Sequence, residues 1–258
     1  MKKLLLALTA VAVMTGAASA ADLAARPYVK APIAPVAPSW TGFYIFGGAG
    51  GGIWDADSHS TRFGVSTIDH RVGGDGWFGT VGLGYDWQFN PNWVVGAFAD
   101  GQFGSLRGNV DDTFAALQGR IKLQDSWAAG VRVGYLVAPN VLSYVNAGYS
   151  GSHWSGTTLI SSFTGIPAGF HTDSFNRNGW FVGGGVENNL NIFGITAPGW
   201  FMKTEYRAAY YDRKDLAVRF DGTNAVSSDT VTFKPWVQTI STSLVYRFNW
   251  TGPVVAKY

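Results

Sequence analysis

Side chains able to do covalent or acid–base chemistry are scarce in this 258-residue chain, which has no Cys and only four His. His59, His70, His153 and His171 fall in connecting stretches or at the end of an apolar one, where an imidazole is ordinarily solvated. Brought together, they could offer a transition-metal or haem contact, so loop-mediated binding of such a ligand is one reading of them. No G-x-S-x-G, H-E-x-x-H or phosphate-loop pattern occurs. The run Gly47-Gly48-Ala49-Gly50-Gly51-Gly52 lacks the Lys and Ser/Thr that cradle a phosphate, and reads as a strand tolerating close backbone approach. The expectation is a non-enzyme with no catalytic residue, no metal ligand set and no cofactor.

What remains is ionic chemistry. Asp86, Asp100, Glu187 and Glu205, and against them Arg132, Lys203, Arg207 and Arg247, sit in otherwise apolar stretches on the less apolar of two alternating faces. An isolated buried charge costs several kcal/mol, so four acids and four bases on one enclosed face must pair or be hydrated. Lys203, Glu205 and Arg207 alternate along one stretch, and this predicts Glu205 as the hub of the pairing, with Thr204 pointing the other way.

The elements that must position these charges mark themselves out. Eight stretches rich in Gly, aromatic and β-branched residues run Trp40 to Trp54, Trp77 to Phe89, Trp93 to Phe103, Ser126 to Val137, Val141 to Trp154, Gly179 to Asn191, Trp200 to Tyr211 and Trp236 to Phe248. Their period is two. Trp77, Gly79, Val81, Leu83, Tyr85, Trp87 and Phe89 alternate with Thr80, Gly82, Gly84, Asp86 and Gln88, which argues for strand over helix. Only the fifth stretch is ambiguous, with Tyr144 and Tyr149 on opposite faces. Connections of about 22 to 24 residues alternate with short ones at Asn90-Pro91-Asn92, at Ala138-Pro139-Asn140 and around Pro198-Gly199, so long and short ends lie on opposite sides.

Period two alone does not say which face points inward, and a soluble barrel with an apolar interior has the same alternation as its inverse. Tryptophan decides between them. Trp54, Trp77, Trp127, Trp154, Trp180 and Trp236 fall at the long-loop ends, and Trp40, Trp87, Trp93, Trp200 and Trp250 at the short-turn ends. Two aromatic girdles flanking an apolar band are the outer-membrane pattern. The predicted fold is therefore an all-β, eight-stranded antiparallel up-and-down transmembrane β-barrel in the cell outer membrane.

The ends of the chain agree with export. Lys2-Lys3, an apolar run from Leu4 to Met14 and Ala18-Ser19-Ala20 read as a signal peptide over residues 1–20. Without Lys2 and Lys3, 17 bases face 17 acids, and no basic field argues for nucleic acid. Residues 21–39, with Pro27, Pro32, Pro35 and Pro38, read as a Pro-rich periplasmic linker, residues 40–248 as the barrel and 249–258 as a C-terminal tail. The stretch Ser241 to Phe248, with Tyr246 and Phe248 at its third-last and last places, resembles the signal read by the barrel-assembly machinery.

Trp40-Thr41-Gly42-Phe43-Tyr44 at the first strand, and Leu244-Val245-Tyr246-Arg247-Phe248-Asn249-Trp250 running on to Lys257-Tyr258, resemble the alphaproteobacterial major outer-membrane proteins of the opacity-porin-like β-barrel superfamily. The resemblance implies an abundant Gram-negative surface protein with roles in envelope integrity and surface contact through four long loops, and no catalytic residues to carry over. Its expected partners are outer-membrane lipid and lipopolysaccharide, the assembly machinery, and a host or environmental surface ligand. A porin-like small-solute or ion channel is the alternative, although a lumen ringed by eight strands is only wide enough for side chains to fill it.

Overall fold

Alternation carries the strands well past their aromatic ends. The computed structural model describes residues 39–192 and 195–248. Its strands are β1 (Gly42–Arg62), β2 (Val65–Ser66), β3 (His70–Gln88), β4 (Trp93–Asp112), β5 (Leu117–Ala138), β6 (Val141–Trp154), β7 (Thr157–Ser161), β8 (Pro167–Thr172), β9 (Phe175–Ile192), β10 (Ile195–Tyr211), β11 (Lys214–Phe220) and β12 (Val226–Arg247). In the order β1-β3-β4-β5-β6-β9-β10-β12 the long strands pair antiparallel, and β12 closes the ring on β1 from Tyr44 opposite Arg247 to Arg62 opposite Asp229. This is the predicted eight-stranded barrel. The signal peptide, the linker up to residue 38, and the tail with Trp250 lie outside the described residues.

A transmembrane strand needs roughly 9 to 11 residues, whereas β1 has 21, β5 has 22 and β12 has 22. The surplus lies at one end. There the connections expected as long loops are mostly paired strand, and β2, β7, β8 and β11 join the same sheet. What remains as loop is four tips, at 63–64, 113–116, 162–166 and 221–225, where Phe63, Gly64, Ala116, Gly165 and Asn224 take left-handed backbone conformations, and short connections at 67–69, 155–156, 173–174 and 212–213.

The two halves of the barrel have opposite polarity. In the membrane half, Ile45, Val81, Leu83, Val131, Val133, Val145, Val182, Val186, Ile240 and Leu244 are exposed on the outside, while Asp86, Arg132, Glu187 and Lys203 are buried within. In the extended half, Leu106, Val110, Leu117, Ile121, Leu123, Val231 and Phe233 are buried inside and Arg71, Arg107, Arg120 and Lys234 are exposed. On β1, β3 and β12 the inward parity carries through from one half to the other. On β5, whose ladders to β4 and β6 shift register between Phe103 and Leu106 and between Leu123 and Asp125, it passes from even residues (Ala128, Arg132) to odd ones (Ile121, Leu123). What changes outside is the solvent, from hydrocarbon to water.

That change corrects part of the girdle. Trp77, Trp87, Trp93, Trp127, Trp180 and Trp200 do face outward, and Trp236, half-buried, stacks on Tyr210, which stacks on Trp180 at 4.5 Å between ring centroids. Trp54 and Trp154 instead point inward, 5.3 Å apart, and pack with Phe233 and Phe175 as an aromatic floor beneath the rim. Trp40 is also buried, at the short-turn end, where its indole N–H donates to the Pro139 carbonyl. A strand end is where an indole finds either a membrane interface or a closing layer, and its parity decides which.

Two further expectations change. The turn placed around Pro198-Gly199 is instead part of β10, which already pairs Ile195 with Ile192; the ladder shifts register between Thr196 and Phe201, where a Pro without an N–H and a Gly at φ +82° are accommodated. The ambiguity of the fifth long strand, β6, resolves with Tyr144 buried inside and Tyr149 half exposed outside.

Inward glycines make room for interior rings. A Cβ on Gly84 would overlap the Tyr44 ring and lie 2.7 Å from the Ala97 carbonyl oxygen, whereas one on outward Gly79 would meet nothing closer than 3.8 Å. Gly84→Ala should therefore cost about 1–3 kcal/mol by overpacking, and Gly79→Ala almost nothing. Heat-modifiability on gels, with the temperature at which the folded band disappears, ranks the pair.

Candidate functional site

The lumen is built in layers. At the short-turn end Trp40 packs 5.0 Å from Phe201, and the Arg247 guanidinium lies 4.4 Å above the Trp40 ring. Above them is a closed circuit of two guanidiniums and two carboxylates. Arg132 donates from Nε to Asp86 Oδ1 (2.9 Å) and from Nη1 to Glu187 Oε2 (3.1 Å). Arg247 donates from Nε to Glu187 Oε1 (2.8 Å) and from Nη2 to Asp86 Oδ2 (2.8 Å). Asp86 and Glu187 are fully buried, and the Arg132 guanidinium is held between the rings of Tyr44 and Tyr144, 4.5 and 5.0 Å away. Each carboxylate thus has two counterions, which offsets the desolvation that a single pair would not.

A second cluster lies on the rim side. Arg207 donates from both terminal nitrogens to Asp100 (2.9 and 2.7 Å) and also to Glu205 Oε1 (2.7 Å). Glu205 accepts from the Tyr144 hydroxyl (2.8 Å) and pairs with Lys203 at 3.6 Å, and the Lys203 ammonium sits 3.4 Å over the Phe46 ring. Phe181 and Phe98 flank Arg207 at 4.7 and 5.8 Å.

All eight charged residues singled out in the sequence are buried here, in two clusters rather than around one hub. Glu205 holds the second cluster, but Arg247 and Glu187 belong to the first. Lys203 stands opposite Glu187 in the ladder, yet it pairs along its own strand with Glu205, because Arg132 and Arg247 occupy both Glu187 oxygens from across the lumen. Sequence reasoning missed the rings of Tyr44, Tyr144, Phe46, Phe98 and Phe181. Their inward parity was the available signal. Of the assembly-signal residues, Tyr246 packs 5.1 Å from both Trp200 and Phe248 on the outer face, and the Phe248 amide donates to the Phe43 carbonyl.

At the rim the histidines are scattered. His70 meets Asp111, His153 meets Asn176 and His171 lies between Asp221 and Asn224. Among the described residues, no three His, Asp or Glu side chains are grouped as a metal would require. His59 comes nearest to an enzyme-like constellation, with Nδ1 2.8 Å from Asp69 and Nε2 3.1 Å from the Thr232 hydroxyl. That hydroxyl donates its proton to Asp215 (2.7 Å), so toward His59 it accepts, the reverse of an activated nucleophile. The same hydrogen bond holds the Asp215 carboxyl below its usual range.

The ring of strands agrees with what known proteins display. The family described as outer membrane protein beta-barrel domain matches residues 4–248. The chain belongs to this family. The 31 kDa outer-membrane immunogenic proteins of Brucella melitensis and Brucella suis are each 28% identical over 263 residues, covering 96% of this chain and all of theirs. Among solved structures, the outer membrane protein OprG from Pseudomonas aeruginosa shares the fold with a TM-score of 0.54 at 14% identity, over 80% of this chain and 97% of that one. Like its family, the protein is an outer-membrane barrel, and the alphaproteobacterial resemblance read from its two ends holds.

Two predictions follow from the interior and its rim. Glu187→Ala would leave the buried guanidiniums of Arg132 and Arg247 sharing the single carboxylate of Asp86, at a cost of about 3–5 kcal/mol; it should lower the unfolding temperature more than Glu205→Ala, and Thr204→Val on the lipid face should shift it least. At the rim, Asp112 is buried and accepts from the amides of Phe114 and Ala115. Burial pushes its carboxyl above the ordinary range, and nearby Asp229 adds to the rise against a hydrogen bond from Ser60. A carboxyl whose pKa rises on folding stabilises the fold below its unfolded pKa and loses that contribution as pH climbs through the folded value. The 113–116 tip should therefore become better protected from hydrogen exchange on mild acidification, and Asp112→Asn should be protected at neutral pH with the dependence abolished.

Proposed function

We propose that the protein is a sealed, non-enzymatic barrel that contributes to envelope integrity and presents its β-built rim for surface contact. The observation that carries this reading is the unbroken succession of interior layers, from Trp40 through the two ionic clusters to the Trp54–Trp154–Phe233 floor and the aliphatic residues above it. Such an interior stiffens the barrel against lateral pressure and leaves the outer surface as the part free to meet partners. The name of the Brucella relatives, immunogenic outer-membrane proteins, supports display of that surface to the outside. Outer-leaflet lipopolysaccharide, a host or environmental ligand at the tips, and the assembly machinery at Tyr246 and Phe248 are the partners this reading calls for.

A narrow ion or small-solute path is the second reading. It is favoured by Asn146, Ser243 and Arg207 Nε, which are buried in the lumen with no protein hydrogen-bond partner for those polar atoms. Water threading past them would need to bypass both ionic clusters.

Epitope tags inserted at Gly64, Ala115, Gly165 and Thr223 should be reached by antibody on intact cells, and a tag at Pro91 should not; the opposite pattern overturns the topology. In planar bilayers the purified barrel should be silent. Stable conductance steps that change with Arg132→Ala would decide for the channel.

A further inference from the structure

Several cations of the rim have an acid beside them. Arg71 lies 3.6 Å from Asp57, Arg213 3.2 Å from Asp215 and Arg219 2.7 Å from Asp173. On one patch three cations gather without an ion pair. On the outer face of β4 and β5, Arg107 stands directly opposite Lys122, and Arg120 stands opposite Asn109, one outward position further from the membrane on each strand. No ion pair involves Arg107, Arg120 or Lys122 among the described residues. Asp75 faces Arg107 from β3, yet the Arg107 Nε turns instead to the Ser105 hydroxyl at 2.7 Å. Like charges directly opposed across a ladder are destabilising, so the pairing of Arg107 with Lys122 works against the rim unless an anion lies between them.

The location indicates which anion. Trp77 and Ser105 are opposed in the ladder, and Asp75–Arg107–Lys122 is the next outward row, about 7 Å further along strands that rise some 3.3 Å per residue. Trp77, Phe103 and Trp127, all exposed, lie just below and mark the edge of the hydrocarbon. The three cations thus sit at the depth of outer-leaflet headgroups. Beside them a cleft of about 480 Å³ opens between β5 and the short strand β7, lined by Asn109, Gln118, Arg120, Thr157 and Thr158. Amide and hydroxyl side chains around one guanidinium are the donor and acceptor set of a sugar site.

We propose that Arg107, Arg120 and Lys122 with this cleft form a binding site for a phosphorylated glycolipid of the outer leaflet. The phosphate bridges Arg107 and Lys122, the sugar enters the cleft past Arg120, and the acyl chains run down the apolar face below Phe103 and Trp127. The inference rests on the reading of the long strand ends as the outer side of the membrane. It gives a partner and an address to one sector of that surface.

The test uses the purified full-length barrel in detergent micelles, with intrinsic tryptophan fluorescence reporting titrations of bisphosphorylated lipid A, dephosphorylated lipid A, phosphatidylglycerol and inorganic phosphate. The triple variant R107Q/R120Q/K122Q should lose affinity for bisphosphorylated lipid A by about tenfold or more, the scale of losing one or two charge-assisted contacts. The control R71Q/R213Q/R219Q removes as many charges from ion-paired sites and should stay within about twofold of the parent. Lys122→Glu pairs with Arg107 in place of repelling it, so it should raise the melting temperature in lipid-free micelles while abolishing binding, a combination that a merely structural role would not produce. Unchanged lipid A affinity in the triple variant overturns the site. Equal affinity for the dephosphorylated lipid, or displacement by inorganic phosphate or phosphatidylglycerol at matching concentration, overturns the glycolipid assignment. Tag accessibility on cells separates these failures from an inverted topology, since that measurement does not depend on lipid A binding.

Discussion

Hydrocarbon accepts no unpaired charge, and a ring of eight strands encloses room for side chains and little else. From these two conditions follows the circuit of Arg132, Asp86, Arg247 and Glu187. These residues come from four different strands, β5, β3, β12 and β9, so their mutual neutralisation ties together parts of the ring that do not touch through the backbone ladder. The surrounding rings serve the same end. Tyr44 and Tyr144 shield the guanidinium faces that carboxylates leave uncovered, and inward glycines such as Gly84 make space for those rings. Charge, aromatic cover and missing side chains are one solution to one packing problem.

The fold was legible in the sequence because the membrane imposes its pattern residue by residue. Alternation in the stretch from Trp77 to Phe89 needs only period two and a girdle to be understood, and strand count with strand direction followed from it. The ionic residues were legible as a set for the same reason: each lies on the face that lipid forbids. Their partners were not, because a guanidinium reaches across the lumen, and the distances across it depend on the tilt and shear of a closed ring rather than on spacing along any strand. Glu205 seemed central on its own strand. Glu187 became the shared acceptor once the curvature brought Arg132 and Arg247 to it.

Above the girdle the pattern inverts, and here reading by composition fails for a physical reason. An apolar residue signals lipid contact in one half and burial in the other, so Trp54 and Trp154 share a sequence signature with Trp77 and Trp127 while facing the opposite way. Between the aromatic floor and the tips, the barrel obeys the rules of a soluble one. On β1 the alternation continues, with Ser58 and Ser60 buried on the inward face beyond Trp54, and on β5 it resumes after a bulge with its parity reversed. What fades is the hydrophobic contrast that made the alternation visible.

Because the rim is mostly paired strand, with loop confined to its four tips and a few connections of two or three residues, its tolerance of change is sharply divided. Lengthening a strand by one residue would turn every following side chain from inside to outside, whereas the tips at 63–64, 113–116, 162–166 and 221–225 carry no such register. For protein engineering, the same division makes those tips the natural places to graft a foreign peptide on a living cell, held clear of the lipid by the paired strands of the rim.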